Sequence, residues 1–267
     1  MDPQSSITLH TGNTMPALGL GTWELTNDTA GTVRAALSLG YRMIDTAKDY
    51  GTQSGIGEAI RLSGLDRRRI YLVTKVEEAD DAYAATRECL DELQLDYADL
   101  MLIHRPPPSG AGVDLWRGLM RAKKEKLTRD IGVSNYAVKE IEALIRATGE
   151  VPTVNQIEWS PFGYSEEMFR YCSECGIVIQ AYSPLTRATR LADEALAALA
   201  SKYRKTPAQL LIRWNLQRGV APLPKANRRS HLEENLGAFD FDIDAGDMRS
   251  LSGLNERYSS LGGLPYD

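Results

Sequence analysis

The feature that most constrains this chain is an alternation. Short apolar runs give way to longer amphipathic ones about eight times along the sequence. The runs that read as strands are Leu18–Gly21, Met43–Asp45, Tyr71–Lys75, Leu100–His104, Asp130–Ser134, Val154–Ile157, Val178–Ala181 and Ala221–Pro224. Between them, helical periodicity predicts segments such as Asp28–Leu39, Asp80–Leu93, Lys139–Ala147 and Ala192–Tyr203. Strands alternating with helices of this length imply βαβ units and a parallel sheet. Eight units without a linker favour closure into a (β/α)8 TIM barrel over an open doubly wound sheet, as one domain spanning residues 1–267. Ahead of them, Ile7-Thr8-Leu9, a Thr11-Gly12-Asn13 turn and Met15 to Leu18 predict a β-hairpin that caps the barrel bottom. An open dinucleotide-binding sheet would carry G-x-G-x-x-G after its first strand. Gly19-Leu20-Gly21 and Gly55-Ile56-Gly57 both lack the third glycine, and no P-loop pattern occurs.

Composition narrows the partners. A chain of 267 residues buries a substantial core and needs neither disulfide nor metal to fold. A formal net charge of −5 gives no general attraction to nucleic acid or anionic lipid. The basic runs Arg67-Arg68-Arg69 and Lys123-Lys124-Glu125-Lys126 read as solvated faces near helix ends. Three cysteines, Cys89, Cys172 and Cys175, suit a reducing compartment, and a cytoplasmic location is expected. Cys172-Ser173-Glu174-Cys175 matches C-x-x-C but lies in a helical stretch with no second ligand pair, so it reads as packing and no metal site is expected. Met1 to Ser6 shows no signal-peptide pattern, and no run approaches the 18 or so apolar residues of a membrane span.

A barrel of this kind carries its chemistry at the carboxyl ends of its strands. Asp45 ends the second strand, Lys75 the third and His104 the fourth, and Tyr50 follows Asp45 in the next loop. Four titratable groups at successive strand ends converge on one mouth. Each alone is equally at home as a buried ion pair, a rim aromatic or a hydrogen-bonded core histidine.

Along almost its whole length the sequence resembles the aldo-keto reductase family. The resemblance rests on Gly19-Leu20-Gly21-Thr22-Trp23, Gly40-Tyr41-Arg42-Met43-Ile44-Asp45-Thr46-Ala47 with Tyr50, and Val73-Thr74-Lys75-Val76. It continues through Leu102-Ile103-His104, Ile131-Gly132-Val133-Ser134-Asn135-Tyr136, Asn155-Gln156-Ile157-Glu158, Tyr182-Ser183-Pro184-Leu185 and Pro224-Lys225. It implies NAD(P)H-dependent, reversible reduction of aldehydes and ketones, with Asp45, Tyr50, Lys75 and His104 as the catalytic tetrad. The chemistry is coherent: a carbonyl needs a hydride on carbon and a proton on oxygen. A tyrosine, ordinarily near pKa 10, is a weak acid that a neighbouring ammonium such as Lys75 is expected to strengthen. Asp45 would fix Lys75, and His104 would hydrogen-bond the substrate oxygen.

The same resemblance implies a cofactor-binding set. Ser134, Asn135 and Gln156 would hold the nicotinamide carboxamide, Tyr182 would stack on the ring, and Ser183 and Leu185 would meet the pyrophosphate. Thr22 and Asn227 join this set, and Glu234 and Asn235 match adenine-contacting positions. At the 2′-phosphate end Lys225 is kept, but Ala226 stands where relatives preferring NADPH carry serine, and His231 where they carry arginine. Arg228 and Arg229 lie between and would compensate, so NADPH is the expected cofactor with some use of NADH. Trp23 is expected to wall the substrate cleft, with Lys48 and Arg105 favouring anionic or polyhydroxylated carbonyls. The short loop Arg105-Pro106-Pro107-Pro108-Ser109-Gly110 and a modest tail ending Pro265-Tyr266-Asp267 suggest a shallow cleft. A monomer is expected. Two rivals stand beside this reading: a non-catalytic NADP(H)-binding sensor or structural subunit on the same barrel, and a phosphate-binding barrel enzyme in which Lys75 forms a Schiff base.

Overall fold

The chain opens with an antiparallel hairpin, β1 (Ser6–Thr8) and β2 (Thr14–Pro16), which sets Ile7 opposite Met15. A computed structural model supplies the coordinates and describes residues 1–267 except Thr26, Asp80, Pro265 and Asp267. The predicted helix start at Asp80 and two of the three tail residues, Pro265 and Asp267, therefore lie outside the described residues.

The eight predicted strands are all present and pair in sequence order as one parallel sheet. They are β3 (Gly19–Gly21), β4 (Met43–Asp45), β5 (Tyr71–Val76), β6 (Ala98–Ile103), β7 (Thr128–Ser134), β8 (Val154–Glu158), β9 (Val178–Tyr182) and β10 (Ala221–Pro222). β10 is two residues shorter than its predicted run. Pro222 and Pro224 have no N–H to give to a ladder, so regular pairing stops there. The ring still closes: Gly21 bridges to Lys225, and its N–H donates to the Pro224 carbonyl at 3.3 Å. Gly19-Leu20-Gly21 belongs to this seam. A Cβ at Gly19 would lie 2.6 Å from the Leu223 side chain, and one at Gly21 2.7 Å from the Leu223 carbonyl oxygen.

The helices returning between strands start where their caps dictate. α1 (Thr29–Leu39) begins after Asp28, whose carboxylate accepts from the Gly31 N–H. α2 (Gln53–Leu62) follows, and α3 (Ala82–Leu93) is capped by Asp81. α4 (Val113–Lys124) and α5 (Val138–Thr148) come next, then α6 (Glu166–Cys175) with Ser165 as its cap. Asp193 moves the start of α7 (Glu194–Tyr203) two residues past the predicted Ala192, because its side chain accepts from the Leu196 N–H. α8 (Pro207–Gln217) starts from a Thr206/Gln209 capping box, and α9 (Arg229–Leu236) and α10 (Ala245–Ser252) complete the coat. No helix among the described residues is long and apolar enough to cross a membrane.

Hairpin side chains plug the barrel bottom. Leu9 and Met15 are buried with Met43, Val73, Leu100, Leu102 and Leu223 inside the strands. Thr11 and Asn13 of the turn donate to the two carboxylate oxygens of Asp130, both at 2.9 Å. With that end filled, the carboxyl ends of the strands are left to carry a site. The C-x-x-C pair lies on α6, where Cys172 is buried with its thiol 3.5 Å from the Met168 sulfur, a packing arrangement. Both basic runs are partnered, Arg67 with Asp99 at 2.8 Å and Lys123 with Glu150 at 2.5 Å.

Candidate active site

Asp45 closes β4 and Lys75 stands one residue before the end of β5, so neighbouring strands bring them together. The Lys75 ammonium lies 2.9 and 3.0 Å from the two Asp45 oxygens and 2.8 Å from the Thr46 carbonyl. Lys75 is fully buried, and a buried cation persists only with such partners. Burial opposes its charge, but Asp45 first and then Tyr50 outweigh it, and the lysine pKa stands above its ordinary value. Across the barrel, Gln156 donates to Asp45 at 2.7 Å and to Gln180 at 2.9 Å, tying β4, β8 and β9 into one polar floor. Thr22, Thr46 and Thr52 form a hydroxyl relay beneath it, with the Thr22 hydroxyl donating to the Asp45 carbonyl at 2.8 Å.

Tyr50 ends a 3-10 turn, Lys48–Tyr50, that Gly51 stops in the left-handed conformation at φ 65°. Its ring lies 4.9 Å from the Lys75 ammonium and edge-on to His104, with centroids 5.7 Å apart. The expected acidification by Lys75 is present but does not win. Burial raises the Tyr50 pKa by more than Lys75 lowers it, and the negative charges of Asp45 and Asp49 add to the rise. The phenol therefore keeps its proton through neutral pH. His104 follows β6 directly; its N–H still donates to the Val76 carbonyl at 2.8 Å, and its carbonyl accepts from the Asn135 amide at 2.9 Å.

Of the remaining predicted residues, one group gathers at the ends of β7, β8 and β9. The Ser134 hydroxyl donates to the Gln156 carbonyl at 2.7 Å, and the Asn135 amide donates to Ser134 at 3.1 Å. The Tyr182 hydroxyl donates to the Asn135 side-chain oxygen at 2.8 Å. Asn135, Ser183, Thr186, Arg187 and Ala188 all have positive φ. Left-handed backbone at non-glycine residues costs on the order of 1–2 kcal/mol each and gathers at functional loops. Leu185 is half-buried within this turn.

At the other end of the cleft, Lys225, Asn227, Arg228 and His231 are exposed around the start of α9, and Glu234 is half-buried. Arg229 is occupied by Glu233 at 2.9 Å, which leaves Arg228, at the N-cap position of α9, as the better placed of the two compensating arginines. Ala226 is buried in the core, and Asn235 is buried beside the Tyr41 hydroxyl. Thr22 has no exposed surface and serves the relay described above.

Trp23 is 39 % exposed and lies under the Arg187 guanidinium, 4.2 Å from its ring centroid. Arg105 is exposed and lies on the Tyr182 side, where its charge acts against the strong burial-driven rise of that phenol's pKa. Lys48 pairs with Glu88 of α3 at 2.9 Å.

Sequence reasoning missed two carboxylates. Glu77 approaches the His104 Nδ1 at 2.8 and 3.0 Å, and Asp49 lies 3.6 Å from the same nitrogen. The rule that singled out Lys75 reaches Glu77 as well, since Glu77 is the first residue beyond β5.

A closed barrel whose carboxyl end carries this polar assembly defines a (β/α)8-barrel enzyme. The profile of the aldo/keto reductase family matches residues 17–256. An aldo-keto reductase of Mycobacterium tuberculosis is 42% identical over 257 residues, covering 94% of this chain and 91% of the relative. An aldo/keto reductase from Brucella melitensis superposes with a TM-score of 0.89 at 36% identity, covering 94% of this chain and 99% of that one. An aldo-keto reductase of Bombyx mori, solved in complex with NADP, superposes with a TM-score of 0.91 at 31% identity over 97% of this chain and 95% of its own. The chain belongs to the aldo/keto reductase family.

Proposed function

We propose that this protein reduces small aldehydes and ketones with NADPH, accepting some NADH, and that Tyr50 donates the proton to the substrate oxygen. The observation that carries the reading is the Tyr50–Lys75–Asp45 line, in which a fully buried ammonium lies 2.9 Å from a carboxylate and 4.9 Å from the phenol ring. A reduced nicotinamide, when bound, supplies the hydride, which no side chain can.

The donor set fits that group. Both amide hydrogens of Gln156 are used by Asp45 and Gln180, and the Asn135 oxygen takes only the Tyr182 hydroxyl. The capacity left on both side chains is acceptor capacity, which suits the N–H donors of a carboxamide. Tyr182, tethered through its hydroxyl, offers a ring face to a flat heterocycle. Arg228 and Lys225 would meet a 2′-phosphate, aided by the N-terminus of α9.

Proton transfer follows from the energetics of the phenol. An alkoxide forming on the substrate has a conjugate acid about as weak as water. A phenol is ordinarily a far stronger acid than an alcohol, so transfer is favoured once negative charge develops on the substrate oxygen. Lys75 then stabilises the phenolate, and Asp45 holds Lys75 in place. His104 bounds the oxygen from the other side. In the reverse direction the phenolate takes the proton from an alcohol.

The chain would act as a single-domain monomer in the cytoplasm. In support, its exposed large apolar residues (Met1, Trp23, Leu62 and Leu261) are few, and all three cysteines are free thiols. Absorbance at 340 nm with NADPH and then NADH, against aromatic, aliphatic and sugar aldehydes, tests the reading. Consumption on at least one class, faster with NADPH, is expected. Tight nucleotide binding with no consumption on any substrate would favour a sensing or structural role instead.

A further inference from the structure

Two carboxylates converge on one nitrogen of His104, and their geometry determines where the imidazole carries its proton. Both Glu77 oxygens are in hydrogen-bond range of Nδ1, at 2.8 and 3.0 Å. One N–H shared between two oxygens of an ionised carboxylate gives this pattern. A bare Nδ1 would instead set its lone pair against acceptor oxygens, with Asp49 3.6 Å away on the same side. The ring has little freedom to escape: it is nearly buried, its backbone is pinned by Val76 and Asn135, and the Tyr50 ring stands edge-on to it.

We propose that Glu77 is a positioning residue that locks His104 in the Nδ1–H form, so that its Nε2 can donate to a carbonyl oxygen only when the ring is an imidazolium. The reason lies in the inventory of an imidazole. The neutral ring has one N–H and one bare nitrogen, and holding the hydrogen on Nδ1 leaves Nε2 as an acceptor. A carbonyl oxygen is also an acceptor, so the neutral ring cannot hydrogen-bond it. Protonation supplies the Nε2–H, and the Glu77 carboxylate compensates the added charge. The neutral ring, in turn, suits an alcohol, whose O–H can donate to Nε2. The groups facing the imidazole are Glu77 beyond β5 and Asp49 and Tyr50 beyond β4, while Asn135, just past β7, bonds the His104 carbonyl and accepts from the Tyr182 hydroxyl. Lys75 stands behind the Tyr50 ring.

The inference rests on His104 facing the substrate oxygen, as in the proposed reductase, and its test separates the two. Nitrogen-15 spectra of the histidine rings give the tautomer without any turnover, with the His104→Asn variant assigning the signal among the three histidines. The wild-type protein should show a protonated Nδ1 and a bare Nε2 at high pH. In Glu77→Gln the side-chain amide can donate to Nδ1, and the neutral ring should shift toward the Nε2–H form.

The kinetic expectation is a change in slope. The pH profile of kcat/KM for reduction should differ in shape between wild type and Glu77→Gln, which a merely structural role for Glu77 would not produce. Thermal melts of Glu77→Gln and Glu77→Ala identify loss of fold, which would lower the rate equally at every pH. A wild-type His104 carrying its proton on Nε2 when neutral overturns the proposal, as does a pH profile unchanged in Glu77→Gln. A protonated Nδ1 in a protein that consumes no cofactor would sink the reductase reading and leave the Glu77 lock standing.

Discussion

The two ends of this barrel are built from the same eight strands and solve opposite problems. At the amino ends Leu9 and Met15 fill the interior with apolar side chains and thioether sulfur. Asp130, a buried carboxylate there, holds the hairpin turn through Thr11 and Asn13, while Asp99 beside it on β6 pairs with Arg67. At the carboxyl ends the interior holds a carboxylate, an ammonium and two amides in direct contact. Asp45 and Asp130 make the contrast sharp. Each is nearly buried and each accepts short hydrogen bonds with both oxygens, but the partners of Asp130 are neutral hairpin donors and one partner of Asp45 is a buried cation. Burial of a polar group is therefore no sign of function by itself. A desolvated charge whose neighbours open onto the mouth is the better one.

Substitutions at the two aspartates would break or sharpen this contrast. Asp45→Ala leaves Lys75 buried without its counter-charge, and removing one partner of a buried pair costs about 3–5 kcal/mol. Chemical denaturation should show a loss of that size, and any folded protein remaining should fail to turn over. Asp130→Ala removes two hydrogen bonds to a charged acceptor and should cost about 1–3 kcal/mol in the same experiment. Its kcat and KM should stay near wild-type values, because Asp130 holds the Thr11–Asn13 turn, whereas the hairpin meets the polar floor through Met15, whose sulfur accepts from the Gln180 amide at 3.0 Å. Loss of activity in Asp130→Ala with the fold intact would erase the distinction between the ends.

The smallest effect concerns the cysteines, which belong to neither end. Burial pushes the Cys89 thiol up to about 11 and that of Cys172 up to about 12, while Cys175 is half-buried. Mass spectrometry after brief alkylation at neutral pH should find Cys175 modified first, with turnover unchanged. Rapid labelling of Cys89, whose thiol lies 3.9 Å from the Lys75 carbonyl, would mean that the wall behind the site opens.

The sequence made the frame of this molecule readable because strands and helices announce themselves locally. Alternation placed all eight strands, and with them the carboxyl-end positions of Asp45, Lys75 and His104. The hairpin was legible from its turn residues, whose Gly12 takes a positive φ of 86°. What escaped depends on partners distant in sequence. Gln156 reaches Asp45 across 111 residues only because the barrel closes in one register. Glu77 meets His104 across 27 residues for the same reason. Nor does the position of Lys48 in a loop near Tyr50 show which way its long side chain leans, and the pairing with Glu88 on α3 appears only in the fold. The balance at Tyr50 was equally out of reach, since burial is a property of the folded chain and outweighs the nearby ammonium.

The most direct test of the account is Tyr50→Phe, followed by NADPH oxidation at 340 nm beside a nucleotide titration by protein fluorescence. The substitution removes one hydroxyl and keeps the ring that packs beside His104 and Lys75. The account predicts a fall in kcat of about 10²–10⁴-fold, with nucleotide affinity and thermal midpoint near wild type. Near-normal turnover in Tyr50→Phe would contradict it and remove Tyr50 from the acid role.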